Sequence, residues 1–273
     1  MLDADVRAFY EKGWERDRLK DPRRSIEYLR TLDILERFLP LTSAVLDVGG
    51  GPGTYALALA AAGHAVTLLD PVALHVDQAR EASKEAPVQL AHIGQGDARA
   101  LPYPGRSFDA VLLLGPLYHL VDDDDRHKAW REAHRVLRPG GIVVAAAISR
   151  YYSTWEMLSK NKLDLPGAEE SVQEHLRSGQ HRNPTDDYEQ LFTTAYFHDP
   201  MELAEEARLA DLQPCALLAV EGPTKLLPDL ADRLQDPARA DQVLRALRRL
   251  EDEPTVLGTS EHVIVVAVRR AGR

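Results

Sequence analysis

Val45-Leu46-Asp47-Val48-Gly49-Gly50-Gly51-Pro52-Gly53-Thr54 is the stretch that decides the fold of this chain. A short apolar run enters a glycine-rich turn, and Tyr55-Ala56-Leu57-Ala58-Leu59-Ala60 follows with a helical pattern. The stretch therefore reads strand, tight loop, helix. Gly49, Gly51 and Gly53 permit backbone angles that other residues resist, and they let a flat ligand approach the main chain. A helix that opens at such a turn presents unpaired N–H groups to that ligand. Asp47 sits inside the strand, two residues before the first glycine. A carboxylate buried there needs donors, either loop N–H groups or an amine on a ligand just beyond them.

The whole chain sets the bounds for that reading. Its 273 residues suffice for one large domain, or for one domain with a small lid. A composition of 44% hydrophobic and 28% charged residues suits a soluble globular chain with a buried core. No apolar run approaches the ~18 residues of a membrane span, and no basic start precedes an apolar segment. Cys215, the lone cysteine, has no internal disulfide partner, so the cytoplasm is the natural compartment. It reads as a buried core residue. A net charge of −10 argues against a general grip on nucleic acid. The expected partner is a small molecule, bound by a monomer or homodimer without membrane association.

Working outward from the glycine loop, residues 1–40 read as two charged helices separated at Asp21-Pro22. The second, about 23–38, carries the apolar stripe Ile26, Leu29, Leu32, Leu35 and Phe38. Gly63 closes the helix after the loop. Residues 64–69 form a second strand ended by Asp70-Pro71, with a helix through about Lys84. Asp70 lies 23 residues beyond Asp47, the place from which a carboxylate takes a ribose diol, or caps the following helix. Residues 88–93, 107–114 and 142–148 are further strands, and 122–137 is a helix capped by Asp122. The four aspartates 122–125 are a solvated helix start rather than a metal site. Later come a helix at 201–210, a strand at 214–220, a basic amphipathic helix at 229–250 and a last strand at 262–268. Seven strands with interleaved helices predict an α/β, Rossmann-like, mostly parallel seven-stranded sheet with helices on both faces. Ligands bind such sheets beyond the carboxyl ends of the strands.

Asp47-x-Gly49-x-Gly51-x-Gly53, together with Asp70, Asp97-Ala98 and Leu137-Arg138-Pro139-Gly140-Gly141, resembles the class I S-adenosylmethionine-dependent methyltransferases. The resemblance is specific over about residues 40–150 and extends to 200–273 only by pattern. It implies that Asp47, Gly49, Gly50, Gly51 and Gly53 hold the methionine half of S-adenosylmethionine. It further implies that Asp70 and Pro71 border the ribose, that Asp97 and Ala98 meet the adenine, and that Leu114 ends the strand facing the methyl. Residues 1–40 become an N-terminal helical lid, 41–150 with 201–273 the cofactor-binding domain, and 151–200 a helical, substrate-facing cap insertion. That insertion is rich in aromatic residues, Tyr188 among them, and is broken by Pro166 and Pro184.

The expected activity is methyl transfer to an oxygen, nitrogen or carbon atom of a small-molecule acceptor. Gly115-Pro116-Leu117-Tyr118-His119 follows the fourth strand, which makes His119 and then Tyr118 the catalytic candidates. Tyr10, Tyr152, Tyr196 and His198 are candidates for acceptor contact. The other histidines, His75 and His262 among them, read as structural or surface residues. With no H-E-x-x-H pattern and no Cys/His cluster, no metal site is expected. Two alternatives share the fold. A catalytically inactive, cofactor-binding regulatory domain would keep the same motifs. An NAD(P)-dependent oxidoreductase would want G-x-G-x-x-G, and the third position is Thr54 counted from Gly49 or Ala56 counted from Gly51.

Overall fold

Apolar runs buried on both faces belong in the interior of a parallel sheet covered by helices. In the structure, a computed structural model that describes residues 3–18, 25–164, 166–182 and 192–271, they lie there. β1 (Ala44–Val48), β2 (Ala65–Asp70), β3 (His92–Gln95), β4 (Phe108–Leu113) and β5 (Leu137–Ile148) pair in parallel. β6 (Gln180–His181) and β7 (Ala195–Tyr196) form a separate small antiparallel pair. β8 (Leu212–Ala219) and β9 (His262–Arg269) complete the main sheet, with β9 antiparallel to both β5 and β8. The strand order is β3-β2-β1-β4-β5-β9-β8. Strand order reverses between the parallel neighbours β1 and β4, which opens a crevice at their carboxyl ends.

The pleat sends alternate side chains to two buried layers. Leu46, Val48, Val111 and Leu113 pack under the helices Asp123–Val136 and Pro200–Leu209, around the fully buried Trp130. Val45, Val66, Leu68 and Leu112 pack under the helices Ser25–Phe38, Thr54–Ala61 and Ala73–Glu85. The first of these three is also pinned by charge. Arg30 is fully buried and donates to Glu251 at 2.5 Å, to the Val220 carbonyl at 3.2 Å and to Asp33. Arg37 also donates to Glu251, and Arg248 to Asp33, so each carboxylate has a second cation.

Several expected boundaries move, each for a local reason. The Asp21-Pro22 break, Pro184 and Tyr188 lie outside the described residues. The third strand is His92–Gln95 rather than 88–93, because β2 pairs through Thr67–Asp70 and carries the register toward the crevice. The helix expected at 229–250 is two, Leu230–Gln235 and Pro237–Arg248. Pro237 cannot continue the first, and Asp236 caps the second. Cys215 is exposed, not buried, since it sits where the β8–β9 register shifts between Pro214 and Ala216. Gly63 does end its helix, with φ +96°, and Asp122 accepts from Asp125 N–H as a cap. Among the described residues, no helix is long and apolar enough to cross a membrane.

The buried charge network yields a stability prediction. Arg30→Met should cost ~3 kcal/mol, the lower end for removing one member of a buried ion pair, since Arg37 and Arg248 keep the carboxylates partnered. Urea denaturation checks it.

Candidate cofactor-binding site

The loop between β1 and the helix Thr54–Ala61 folds back on its own strand. Gly49, Gly51 and Gly53 take φ of +70°, +56° and +93°, a region that disfavours side chains. Gly50 is required for a different reason: a Cβ there would lie 2.6 Å from Asp47 Oδ2 and 2.9 Å from Leu68. Only glycine lets the loop cover the carboxylate so closely. Gly49 N–H donates to the Leu69 carbonyl at 2.7 Å, and Gly51 N–H donates to Asp70 Oδ2 at 2.9 Å. Asp70 Oδ1 accepts from Val72 N–H at 2.8 Å. Asp70 thus ties the glycine loop to the start of the next helix while it borders the cleft.

One cleft at the carboxyl ends of the strands brings together most of the residues singled out from sequence. Asp47, Gly49, Gly50, Gly51, Asp70, Pro71, Asp97, Ala98 and Leu114 line it, and so do Tyr10, Tyr118 and His119. Gly53 does not line it; its left-handed backbone caps the helix behind. Val6, Glu15, Arg18, His75 and Arg99 are lining residues that sequence reasoning missed. For His75 the available signal was spacing, five residues past Asp70 in the first turn of the helix Ala73–Glu85. Arg18 carried no signal in a run of mixed charges. In the fold it donates to Glu15 at 2.8 Å and to both oxygens of Glu27 at 2.7 and 2.9 Å, joining the first segment to the helix Ser25–Phe38.

Charge in the cleft is unevenly compensated. Asp47 is 1% exposed, and its Oδ2 has no hydrogen-bond partner within the protein. Burial, and after it the neighbouring Asp70, pushes its pKa up to about 7. Asp97 is the opposite case. Arg99 donates to its two oxygens at 2.9 and 2.5 Å, and its pKa falls accordingly. The adenine contact expected of Asp97 therefore has to share a carboxylate already held by Arg99. Tyr10 hydroxyl and His119 Nε2 meet at 2.6 Å. Burial, with a smaller push from Arg18, drops His119 to about 3 against an opposing contact from the Thr194 backbone. His119 is neutral at physiological pH.

The insertion stands one layer behind the cleft. It comprises the helices Tyr152–Ser159 and Ala168–Ser178 and the β6–β7 pair, two short strands that no sequence period announced. Phe192 reaches forward to pack on Phe9, Tyr118 and His119. Three acceptor candidates lie outside the cleft. Tyr152 packs its ring under Lys225. Tyr196 donates to Glu202 at 2.5 Å and lies beneath the Arg126 guanidinium. His198 is fully buried, 3.4 Å from Glu206. Aromatic content marked these positions, but their partners are internal.

Glu27, Glu221 and His262 bring possible metal-ligand atoms within 4.8 Å of one another. A cation of the protein's own serves this cluster. Burial lowers the His262 pKa, but Glu221, Glu27 and Glu261 outweigh it and push it up to about 9, with His262 Nδ1 2.7 Å from Glu221 Oε1.

A seven-stranded sheet of this order, with a glycine loop over an acidic residue at its switch point, defines the class I S-adenosylmethionine-dependent methyltransferase fold. Residues 45–141 match the family model described as a methyltransferase domain. The chain is 38% identical over 116 residues to a 27-O-demethylrifamycin SV methyltransferase of Amycolatopsis mediterranei, covering 41% of this chain and 42% of that protein. It is 32% identical over 148 residues to a ubiquinone biosynthesis O-methyltransferase of Azotobacter vinelandii, covering 54% and 62%. It thus spans less than two thirds of either relative's length. In fold it is similar to the 1,6-didemethyltoxoflavin-N1-methyltransferase of Burkholderia thailandensis, whose crystal structure holds 1,6-didemethyltoxoflavin and S-adenosylhomocysteine. The TM-score is 0.58 at 19% identity, over 98% of this chain and 88% of that one.

The cleft fits the cofactor at its cationic end. An unpartnered carboxylate beneath the loop suits an ammonium or sulfonium charge, and a cation there favours the ionised form. The sign follows from a folded-state pKa raised from 3.8 to about 7. Asp47 stabilises the ligand-free fold below pH ~4, and that contribution is lost as pH rises through about 7. Binding at about pH 6 should then release a proton, and at about pH 8.5 release almost none from this group. Calorimetry with S-adenosylmethionine in buffers of different ionisation enthalpy measures it, and Asp47→Asn should abolish the release.

Proposed function

We propose that the chain transfers the sulfonium methyl of S-adenosylmethionine to a nucleophile on a small-molecule acceptor. The observation that carries this reading is the unpartnered, buried Asp47 carboxylate under the glycine loop, in a cleft that also gathers Asp70 and Ala98. Asp47 would take the ammonium group and Asp70 the ribose, with the methionine half lying against the side-chain-free surface of the glycine loop. The cofactor supplies an electrophilic methyl. The protein's part is to align the nucleophile and keep water out, and alignment alone is worth ~7–11 kcal/mol. Two relatives, named as a 27-O-demethylrifamycin SV methyltransferase and a ubiquinone biosynthesis O-methyltransferase, favour an oxygen acceptor within the wider class.

The first segment acts as the lid. Val6, Tyr10, Glu15 and Arg18 already border the cleft, and the Arg18–Glu27 pair holds them there. Residues 151–200 act from behind, through Phe192. His119 is a positioning group for the acceptor. A ring pushed to about 3 keeps its lone pair free but holds a transferred proton weakly, and an effective general base has a pKa near the working pH.

Incubating the protein with S-adenosylmethionine and metabolite pools should give an acceptor 14 daltons heavier, one methylene, by mass spectrometry. S-adenosylhomocysteine should bind by calorimetry and NAD should not. Binding of S-adenosylhomocysteine with no methylated product from any pool would favour the regulatory-domain reading instead.

On the acceptor so found, His119→Asn should lower turnover by less than the ~10²–10⁴ expected of a proton-transfer group. Its cofactor affinity should be unchanged, and turnover of the parent protein should show no inflection from His119 between about pH 5 and 9. Steady-state kinetics across that range decides between positioning and base catalysis.

A further inference from the structure

His75 is 2% exposed, lines the cleft and stands against Asp70, with its Nδ1 3.2 Å from Asp70 Oδ1. Its tautomer is fixed by what surrounds it. Asp70 accepts from Gly51 N–H on one oxygen and from Val72 N–H on the other, so it acts as an acceptor toward its neighbours. Nδ1 must therefore carry the hydrogen and donate it. In the neutral ring that leaves Nε2 as a bare lone pair. That atom is buried and has no hydrogen-bond partner within the protein. The Tyr10 ring packs edge-on against the imidazole at 5.2 Å and offers Nε2 no hydrogen bond. A buried acceptor left unsatisfied keeps its full desolvation penalty, so a donor supplied by a ligand in this cleft is favoured.

We infer that His75 is a second ribose-recognition residue: its Nε2 accepts one hydroxyl of the cofactor's diol while Asp70 takes the other. The inference rests on the cofactor reading of the cleft. The diol is the ligand's neutral double donor, and Asp70, the residue placed to receive it, is in direct contact with His75. The pair is self-consistent: Asp70 sets the tautomer, and the tautomer makes Nε2 an acceptor. The backbone N–H groups of Gly51 and Val72 hold Asp70 independently, so replacing His75 leaves that carboxylate in place.

The test uses the full chain and S-adenosylhomocysteine, with its 2′,3′-dideoxy analogue as control. In a ¹⁵N-labelled sample the His75 Nε2 resonance, assigned by its loss in His75→Leu, should start far downfield as a free lone pair. It should move upfield with S-adenosylhomocysteine and stay in place with the dideoxy analogue. By calorimetry His75→Leu should bind S-adenosylhomocysteine roughly tenfold more weakly and bind the dideoxy analogue as the parent does. His75→Gln, which can offer an acceptor, should recover part of the loss. An Nε2 resonance indifferent to the natural ligand, or a His75→Leu variant equally weakened toward both ligands, would overturn the inference and make His75 a packing residue or a prop for Asp70. Failure of the parent protein to bind S-adenosylhomocysteine at all would instead bring down the cofactor reading together with it.

Discussion

Asp47 lies at the end of β1 with Gly50 folded across its carboxylate, and the geometry around it admits little variation. A side chain at position 50 would collide with Oδ2, and the turn that carries Gly50 there needs left-handed backbone at Gly49, Gly51 and Gly53. The cost is a carboxylate taken out of water with one oxygen unpartnered. Native proteins rarely leave such groups unsatisfied, and where they do the site usually has a ligand to receive. The cost of burying Asp47 is offset by the surrounding fold. β1 is buried between β2 and β4, and its two faces serve two separate hydrophobic layers.

The acidic residues around the cleft differ in how far they are already committed. Asp97 is satisfied by Arg99, Asp70 is shared between loop amides and His75, and Asp47 is left open on one oxygen. This gradient, rather than the number of carboxylates, gives the cleft its chemistry. The most open group is the one shielded most deeply, where a cation would be held most strongly. Asp97, the more exposed, is held by the Arg99 cation and shapes the wall.

The first segment and the insertion both pack around His119 at the cleft, but by different means. The first segment is held by ion pairs through Arg18 and by the Tyr10–His119 contact. The insertion is built around internal polar links: Ser153 to His175 at 2.7 Å, His175 to His181 at 2.9 Å, and His181 to the Phe192 carbonyl at 2.9 Å. That chain fixes Phe192 against His119 from behind. It explains why the insertion's aromatic residues shape the site without lining it.

Local chemistry, read in order, was enough for the sheet, the glycine loop and the acidic residues at strand ends. Strand alternation, turn glycines and helix caps are short-range constraints, and each sits within a few residues of what it controls. The order of the seven strands, with β9 antiparallel, is set by the tertiary pairing. What only the tertiary structure decided were relations between distant segments. Tyr196 and His198 had the right chemistry for a site, but Glu202, Arg126 and Glu206 claim them in the fold. Cys215 was apolar enough for a core until the β8–β9 register shift put it outside. His75 looked ordinary until the fold set its Nδ1 against Asp70 and left its Nε2 buried without a partner. Burial and partner choice are set by which surfaces meet, and no local pattern contains that information.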